Sequence, residues 1–283
     1  MFKALLRIKL ASLPSMLTGG AKRGKKRGKG MAVLYALLMV YVIGVFCWMF
    51  AGMFSMLAEP LHDAGLSWLY FLMTLILAFT LMVIFSVFTA KSQLYEAKDN
   101  DLLLSMPIPP SAILASRMML LLGLNLVFGL IIVVPSLIEW YAVVPFSLSG
   151  LASFLLTFIA LVFFAMSISA LFGWLISLLT SKMRNKTLFE TVLSLAFLGG
   201  YFYLCGKMGD VIENVLMSSM GLADTLGNIA ILKCIGLAAA GESLTKLLLT
   251  LVVLIIPFII VYAVLARNFI KTATAKRGAA KIK

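Results

Sequence analysis

The chain has few of the residues that perform catalysis. It contains one histidine, His62, which falls in a predicted loop, so neither an intramembrane serine–histidine dyad nor a site of several histidines can be built. Its three cysteines, Cys47, Cys205 and Cys234, lack the CxxC spacing of a metal or redox site. No aspartate-rich diphosphate-binding pattern occurs. We therefore predict a protein that is not an enzyme and holds no metal or cofactor of its own.

Charge is scarce as well, because only 12% of the 283 residues are charged and 63% are hydrophobic. Such a composition excludes a soluble domain and indicates a polytopic membrane protein. A helix needs about 20 apolar residues to cross a bilayer. The sequence predicts an all-α fold with six such spans. They are Met31 to Leu57, Gly65 to Ala90, Met118 to Leu137, Leu151 to Leu179, Thr187 to Cys205, and Leu247 to Ala266.

The positive charges are distributed very unevenly between the connecting segments. Of the 24 lysines and arginines, 21 fall on one side of the predicted spans and only Lys207, Lys233 and Lys246 fall on the other. By the positive-inside rule both termini are predicted to be cytosolic. The net charge of +13 is then explained by orientation and by anionic lipid. We therefore expect membrane lipids, and no nucleic acid, as partners.

Residues 1–30 carry nine basic residues and no acid, which predicts a basic cytosolic arm. Apolar residues at helical spacing within it predict an amphipathic helix lying on the membrane. The run from Gly19 to Lys26 resembles a phosphate-binding loop, but Lys26 replaces the serine or threonine and no strand precedes it, so we reject that interpretation. Residues 31–266 form the predicted transmembrane domain, and residues 267–283 form a basic cytosolic tail.

The stretch from Leu94 to Arg117 combines acids, an apolar run and prolines. Three carboxylates precede Leu102, Leu103 and Leu104, and three prolines follow. This pattern predicts a short surface helix and then a stiff turn. An acidic helix on the cytosolic side suits a groove on a soluble partner, and an ordinary solvated loop is the alternative.

The same stretch resembles the permease subunits of ATP-binding-cassette type 2 exporters, in their bacterial branch. The pattern is Lys-Asp, Leu-Leu and Pro-Ile after the second span, which here is Lys98, Asp99, Leu103, Leu104, Pro107 and Ile108. The resemblance implies that residues 95–108 form the coupling helix that docks onto a separate ATPase subunit, which binds the ATP. Tyr95, Glu96 and Asp101 belong to the same implied docking set.

The resemblance also implies a second permease half, either identical or different. Some relatives carry two six-span halves in one chain, so this chain would correspond to one repeat unit or to a truncated form. It further implies an outer gate in the connection between residues 206 and 243. That connection is too apolar for a solvated loop and predicts two short re-entrant helices, with a surface-lying hairpin as the alternative.

Small side chains recur every fourth residue in the fourth predicted span, at Ala165, Ser169, Gly173 and Ser177. They lie on one helical face and permit close helix packing. The partner of this face is either a neighbouring span or a second protomer.

Polar residues inside the predicted spans are functional candidates by default. Asn125 is expected to make an interhelical hydrogen bond rather than to contact a substrate. Glu190 is expected to pair with the nearby basic cluster of residues 182–186, and Glu139 lies at the outer end of the third span. Cys205 and Cys234 both fall towards the outer side, where they either pair or stay free.

The expected function is that of the membrane-spanning subunit of an ATP-driven exporter of a hydrophobic, lipid-like or peptide substrate. Two other classes stay open. One is a membrane scaffold that transports nothing, and the other is a secondary transporter, which more usually shows broken or charged segments in matched halves.

Overall fold

The computed structural model describes residues 29–95, 110–182, 186–217, 227 and 229–280. Every regular element in these ranges is helical, and a π-helical turn, Lys91–Tyr95, extends the second helix. The helices in chain order are α1 (Lys29–Asp63), α2 (Ser67–Ala90), α3 (Pro110–Val143), α4 (Leu148–Lys182), α5 (Lys186–Met217), α6 (Ala230–Ala239) and α7 (Leu244–Ala280).

Five of these helices, α1 to α4 and α7, are long and apolar enough to cross a membrane. The prediction of an all-helical, multi-pass membrane protein is therefore confirmed. The predicted fifth span lies within α5, but α5 is not among those five, so the count of six and the orientation stay predictions. Residues 1–28, which include most of the basic arm and its predicted interfacial helix, lie outside the described residues.

Two glycines close the tight turns at one end of the bundle, which we name the Gly65 end. Gly65 has φ 68° and Gly241 has φ 77°, a left-handed conformation that glycine adopts without strain. After α1 the amide of Leu66 donates to the carbonyl of Leu61 at 2.8 Å, and Gly65 donates to His62 at 2.9 Å. This is the Schellman arrangement that satisfies the last carbonyls of a helix.

Helix α2 lies at the centre of the fold. It packs on α3 and α4 along its length, and α6 covers its first turns. Polar side chains tie it to α3, because the Tyr70 hydroxyl donates to the Ser136 carbonyl at 2.7 Å and the Thr74 and Ser136 hydroxyls lie 2.7 Å apart. These bonds satisfy polar atoms that hydrocarbon would otherwise leave unpaired.

Helix α1 lies at the periphery and packs mainly on α3. Its first half is exposed from Val40 to Val45, whereas Phe50, Phe54 and Leu57 in its second half are buried. Helix α5 also touches the bundle lightly, chiefly through α2.

The connection between residues 206 and 243 is described only in part, because residues 218–226 and 228 lie outside the described residues, so the two short re-entrant helices stay a prediction. Helix α5 continues without a break past Gly206 to Met217, because one glycine costs a helix only about 1 kcal/mol. Within the described residues of this connection, α6 is a separate short helix. A Cβ added at Gly236 would lie 2.6 Å from the Trp68 carbonyl oxygen, so α6 approaches α2 as closely as glycine permits.

Proline has two roles in these helices. Pro110 is the first residue of α3, a position where the amide hydrogen would have no partner within the helix. The last of the three prolines in the predicted turn is therefore part of a helix. Pro135 and Pro257 lie inside α3 and α7, as the positions of the spans predicted. The predicted tail begins as helix, because α7 runs on to Ala280.

Candidate functional site

A second buried cluster lies at the opposite end of the bundle, which we name the Arg117 end. It joins the end of α2 and its π-helical turn to the start of α3 and the middle of α4. Leu94 and Tyr95, which precede residues 96–109, and Ile113 and Leu114, which follow them, belong to this one cluster, so both flanks of the predicted coupling segment are packed together. Its buried members are Ala90, Leu94, Tyr95, Ile113, Leu114, Met118, Leu121, Met166 and Ala170.

Tyr95 is the one residue of the predicted docking set that the structure describes, and it is buried in this cluster. Its hydroxyl donates a hydrogen bond to the Ala170 carbonyl of α4 at 2.9 Å. A π-helical turn is wider than an α-helical turn and is frequent at functional sites. Here the turn at Lys91–Tyr95 ends with the tyrosine fixed on α4 immediately before the segment begins.

The small-residue face of α4 meets α2 within the same chain. A Cβ added at Gly173 would lie 2.9 Å from the amide nitrogen of Lys91 and 3.2 Å from the carbonyl oxygen of Val87. One turn earlier, the Ser169 hydroxyl is hydrogen-bonded to the Ser86 hydroxyl. Ala165 is also fully buried and Ser177 is half-buried. Of the two alternatives for this face, a neighbouring span and a second protomer, the structure has the neighbouring span, which is α2.

Two cationic side chains are buried at the Arg117 end. Lys91 is 3% exposed and Arg117 is 0% exposed, and both take part in interactions of their own. Burying a charge costs free energy unless it is compensated, so buried basic residues in a membrane protein are candidates for a functional role. Neither residue was predicted to be functional, because Arg117 marked only the end of the stretch from Leu94 and Lys91 counted only among the basic residues of its side. The available signal was their position, since they are the first basic residue after the second span and the last before the third.

The other residues of the predicted docking set lie outside the described residues. They are Glu96, Lys98, Asp99, Asp101, Leu103, Leu104, Pro107 and Ile108. The side chain of Glu190 and the basic cluster expected to pair with it also lie outside that part of the chain.

Four further polar residues, Asn125 and the three cysteines, have partners or states that the structure describes. The Asn125 amide donates to the Leu121 carbonyl of its own helix at 2.9 Å, in place of the interhelical bond that we expected. The Cys47 thiol donates to the Ile131 carbonyl of α3 at 3.7 Å. Cys205 and Cys234 are free thiols, so the disulfide alternative is not realised here.

The five membrane-length helices and the buried cluster define a multi-pass membrane protein with a packed platform at the Arg117 end. Within the described part of the chain, no group of three or more histidine, cysteine, aspartate or glutamate residues could hold a metal ion. No protein-family model, curated protein or solved structure matches the chain.

Proposed function

We propose that the chain is the membrane-spanning subunit of an ATP-driven exporter, and that the segment of residues 96–109 receives the force of a separate ATPase subunit. The observation that carries the proposal is that both flanks of this segment lie in one buried cluster. A partner that displaces the segment would act on α2, α3 and α4 together, because all three helices contribute to that cluster.

The contacts around the π-helical turn support this role. Tyr95 is hydrogen-bonded to α4, and Gly173 brings the backbone of α4 against the backbone of the turn. Close-packed contacts of this kind transmit displacement because interiors deform little. In this proposal the basic Arg117 end is cytosolic, which agrees with the charge asymmetry in the sequence. The proposed substrate is, as the sequence predicts, a hydrophobic, lipid-like or peptide molecule.

Co-purification tests the proposal. The tagged full chain is purified in mild detergent with its ATPase, and association and vanadate-sensitive ATP hydrolysis are measured for the wild type, Asp99→Lys and Leu103→Asp. Reversing a charge at a complementary contact costs several kcal/mol. Removing a buried leucine costs about 1.5 to 3 kcal/mol, and the new carboxylate adds a desolvation cost. Both variants are expected to fold normally and to lose the ATPase.

Glu59→Lys is the matched control, because Glu59 is an exposed carboxylate near the Gly65 end of α1. It reverses a charge far from the segment and is expected to keep the ATPase. Wild-type ATPase yield with both segment variants would refute the docking role. A wild-type chain that carries no ATPase would instead favour the scaffold alternative.

A further inference from the structure

A groove of about 500 Å³ runs between α1 and α3 towards the Gly65 end. This volume is within the range of ligand sites, about 300 to 1,000 Å³. Helix α1 contributes Trp48, Gly52 and Ser55, and α3 contributes Pro135 and Glu139. Most of the wall is apolar, and Glu139 is its one charged residue.

The groove exists because both helices present little bulk along it. A Cβ added at Gly52 would meet nothing within 4 Å. Pro135 lacks the amide that would bond the Ile131 carbonyl, and the Cys47 thiol of α1 occupies that acceptor at 3.7 Å. The Ile131 carbonyl, which Pro135 leaves without its helical partner, is therefore hydrogen-bonded. This end of the groove has no unpaired backbone acceptor and suits an apolar occupant.

The polar groups lie at one end of the groove. Cys47 and Ile131 are in contact, and eight residues further along the two helices, about 12 Å away, are Ser55 and Glu139. The Ser55 hydroxyl donates to the Gly52 carbonyl at 2.9 Å, so its oxygen can still accept a hydrogen bond. Trp48, which is 82% exposed, lies about two helical turns before Ser55 on α1, farther from the Gly65 end. The groove thus has hydrogen-bond acceptors at the end nearer Gly65 and an apolar lining over the rest of its length.

Neither helix supplies a cation near the half-buried Glu139 carboxylate, because the basic residues of α1 and α3, Lys29 and Arg117, lie near the starts of these helices and Glu139 lies near the end of α3. The sequence has no lysine or arginine in residues 30–90 or in residues 118–181. His62 packs edge-on against the Trp140 ring at 5.9 Å. An ionisable residue inside a span indicates a functional site, and a carboxylate in an apolar groove favours a cationic occupant.

We propose that this groove binds a singly charged cationic amphiphile, with a primary ammonium at Glu139 and Ser55 and an apolar tail along Pro135 towards Trp48. A primary ammonium has the N–H donors that these two acceptors require. A zwitterionic phospholipid fits less well, because the parts of the two helices that line the groove lie within residues 30–90 and 118–181, which contain no lysine or arginine for its phosphate. The site goes beyond the proposed function and is testable on the chain alone, without an ATPase.

The test uses an alkylamine with bromine at the end of its tail, because bromine quenches tryptophan fluorescence only at close range. The full chain in phosphatidylcholine nanodiscs is titrated with this amine at neutral pH, and with the uncharged alcohol of the same tail. The wild type is expected to show saturable quenching by the amine that Trp48→Phe lacks. Glu139→Gln is expected to weaken amine binding about tenfold, the loss of one charge-assisted hydrogen bond. Its binding of the alcohol is expected to be unchanged.

Two further variants keep the test decisive. Glu59→Gln removes an exposed carboxylate of α1 outside the groove and is expected to bind the amine like the wild type. Gly52→Leu places a side chain in the groove, where an added Cβ would meet nothing within 4 Å, and is expected to lose both the amine and the alcohol.

Several outcomes would overturn the proposal. Equal amine affinity of the wild type and Glu139→Gln would show that the carboxylate is not used. A trimethylammonium analogue has no N–H donor. If it bound as tightly as the primary amine, the proposed hydrogen bonds from the ammonium to Glu139 and Ser55 would be ruled out. Displacement of the amine by phosphatidylethanolamine at comparable concentration would assign the groove to a lipid, and a chain dimer that buries Trp48 and excludes the amine would assign it to a second copy.

Discussion

Helices α1 and α2 are consecutive and similarly apolar, yet they have opposite positions in the fold. Their membrane-length segments have similar mean hydropathy, but 11% of the most apolar stretch of α1 is buried, against 72% of that of α2. In a bilayer, lipid accepts apolar side chains as readily as a protein core does, so hydropathy does not separate the two positions.

Hydroxyl groups with partners on other helices do separate them. Thr74 and Ser86 of α2 bond to Ser136 and Ser169, whereas Ser55 of α1 bonds only to a carbonyl of its own helix. A polar group in hydrocarbon must find a partner, and a central helix has neighbours on every side to provide one. Cross-helix hydroxyls therefore mark the centre of this fold better than apolarity does.

The largest expected difference between the two helices comes from removing one leucine from each. Leu72 of α2 is 1% exposed and Leu37 of α1 is 62% exposed. Leu72→Ala is expected to lower the free energy of unfolding by about 2 to 5 kcal/mol, because it leaves a cavity. Leu37→Ala is expected to change it by less than about 0.5 kcal/mol. Unfolding in mixed detergent–SDS micelles measures both, and equal losses would show that α1 is buried in the working protein.

A smaller difference is expected from adding one methyl group at a glycine. Gly173→Ala pushes a Cβ against the backbone of the π-helical turn, and such overpacking costs about 1 to 3 kcal/mol. Gly44 of α1 has open space around it, so Gly44→Ala is expected to be neutral or slightly stabilising. The midpoint of thermal unfolding in detergent compares them. A stabilised Gly173→Ala protein would mean that α4 does not approach the turn so closely.

The smallest expected effect is the coupling between the hydroxyls of Ser86 and Ser169. A double-mutant cycle with alanine at both positions is expected to give about 0.6 kcal/mol, the mean for hydrogen bonds between membrane helices. Ser55→Ala, on α1, serves as the control and is expected to show no coupling to Ser169. A coupling energy of zero between Ser86 and Ser169 would show that this hydrogen bond does not stabilise the contact between α2 and α4. Cross-helix hydroxyls would then not mark the central helix.

The positions of the long helices were predictable because the hydrocarbon core fixes their minimum length. Their ends were not, since a helix continues past the last apolar residue wherever its carbonyls stay satisfied. For that reason α5 extends to Met217 and α7 to Ala280, beyond the predicted spans. The small face of α4 was predictable from its spacing, but its partner depended on the arrangement of the helices in space.

The candidate site was less accessible to sequence reasoning. The acids and prolines between the second and third spans indicated a candidate docking segment, but the burial of Lys91 and Arg117 was not visible in the sequence, because it depends on how the helices pack. Pro135 was visible in the sequence. Its effect on Cys47 was not, because the freed carbonyl of Ile131 meets a thiol 84 residues away.

The pairing of α1 with α3, rather than with α2, has a consequence for biosynthesis. During translation α1 is synthesised before α3, its main packing partner. At about 5 to 20 residues per second, it waits seconds for α3 to emerge. Throughout that interval α1 must be stable in lipid by itself, or be sheltered by an insertase. A helix that is apolar on every side, with its charged residues only near its two ends, meets that requirement.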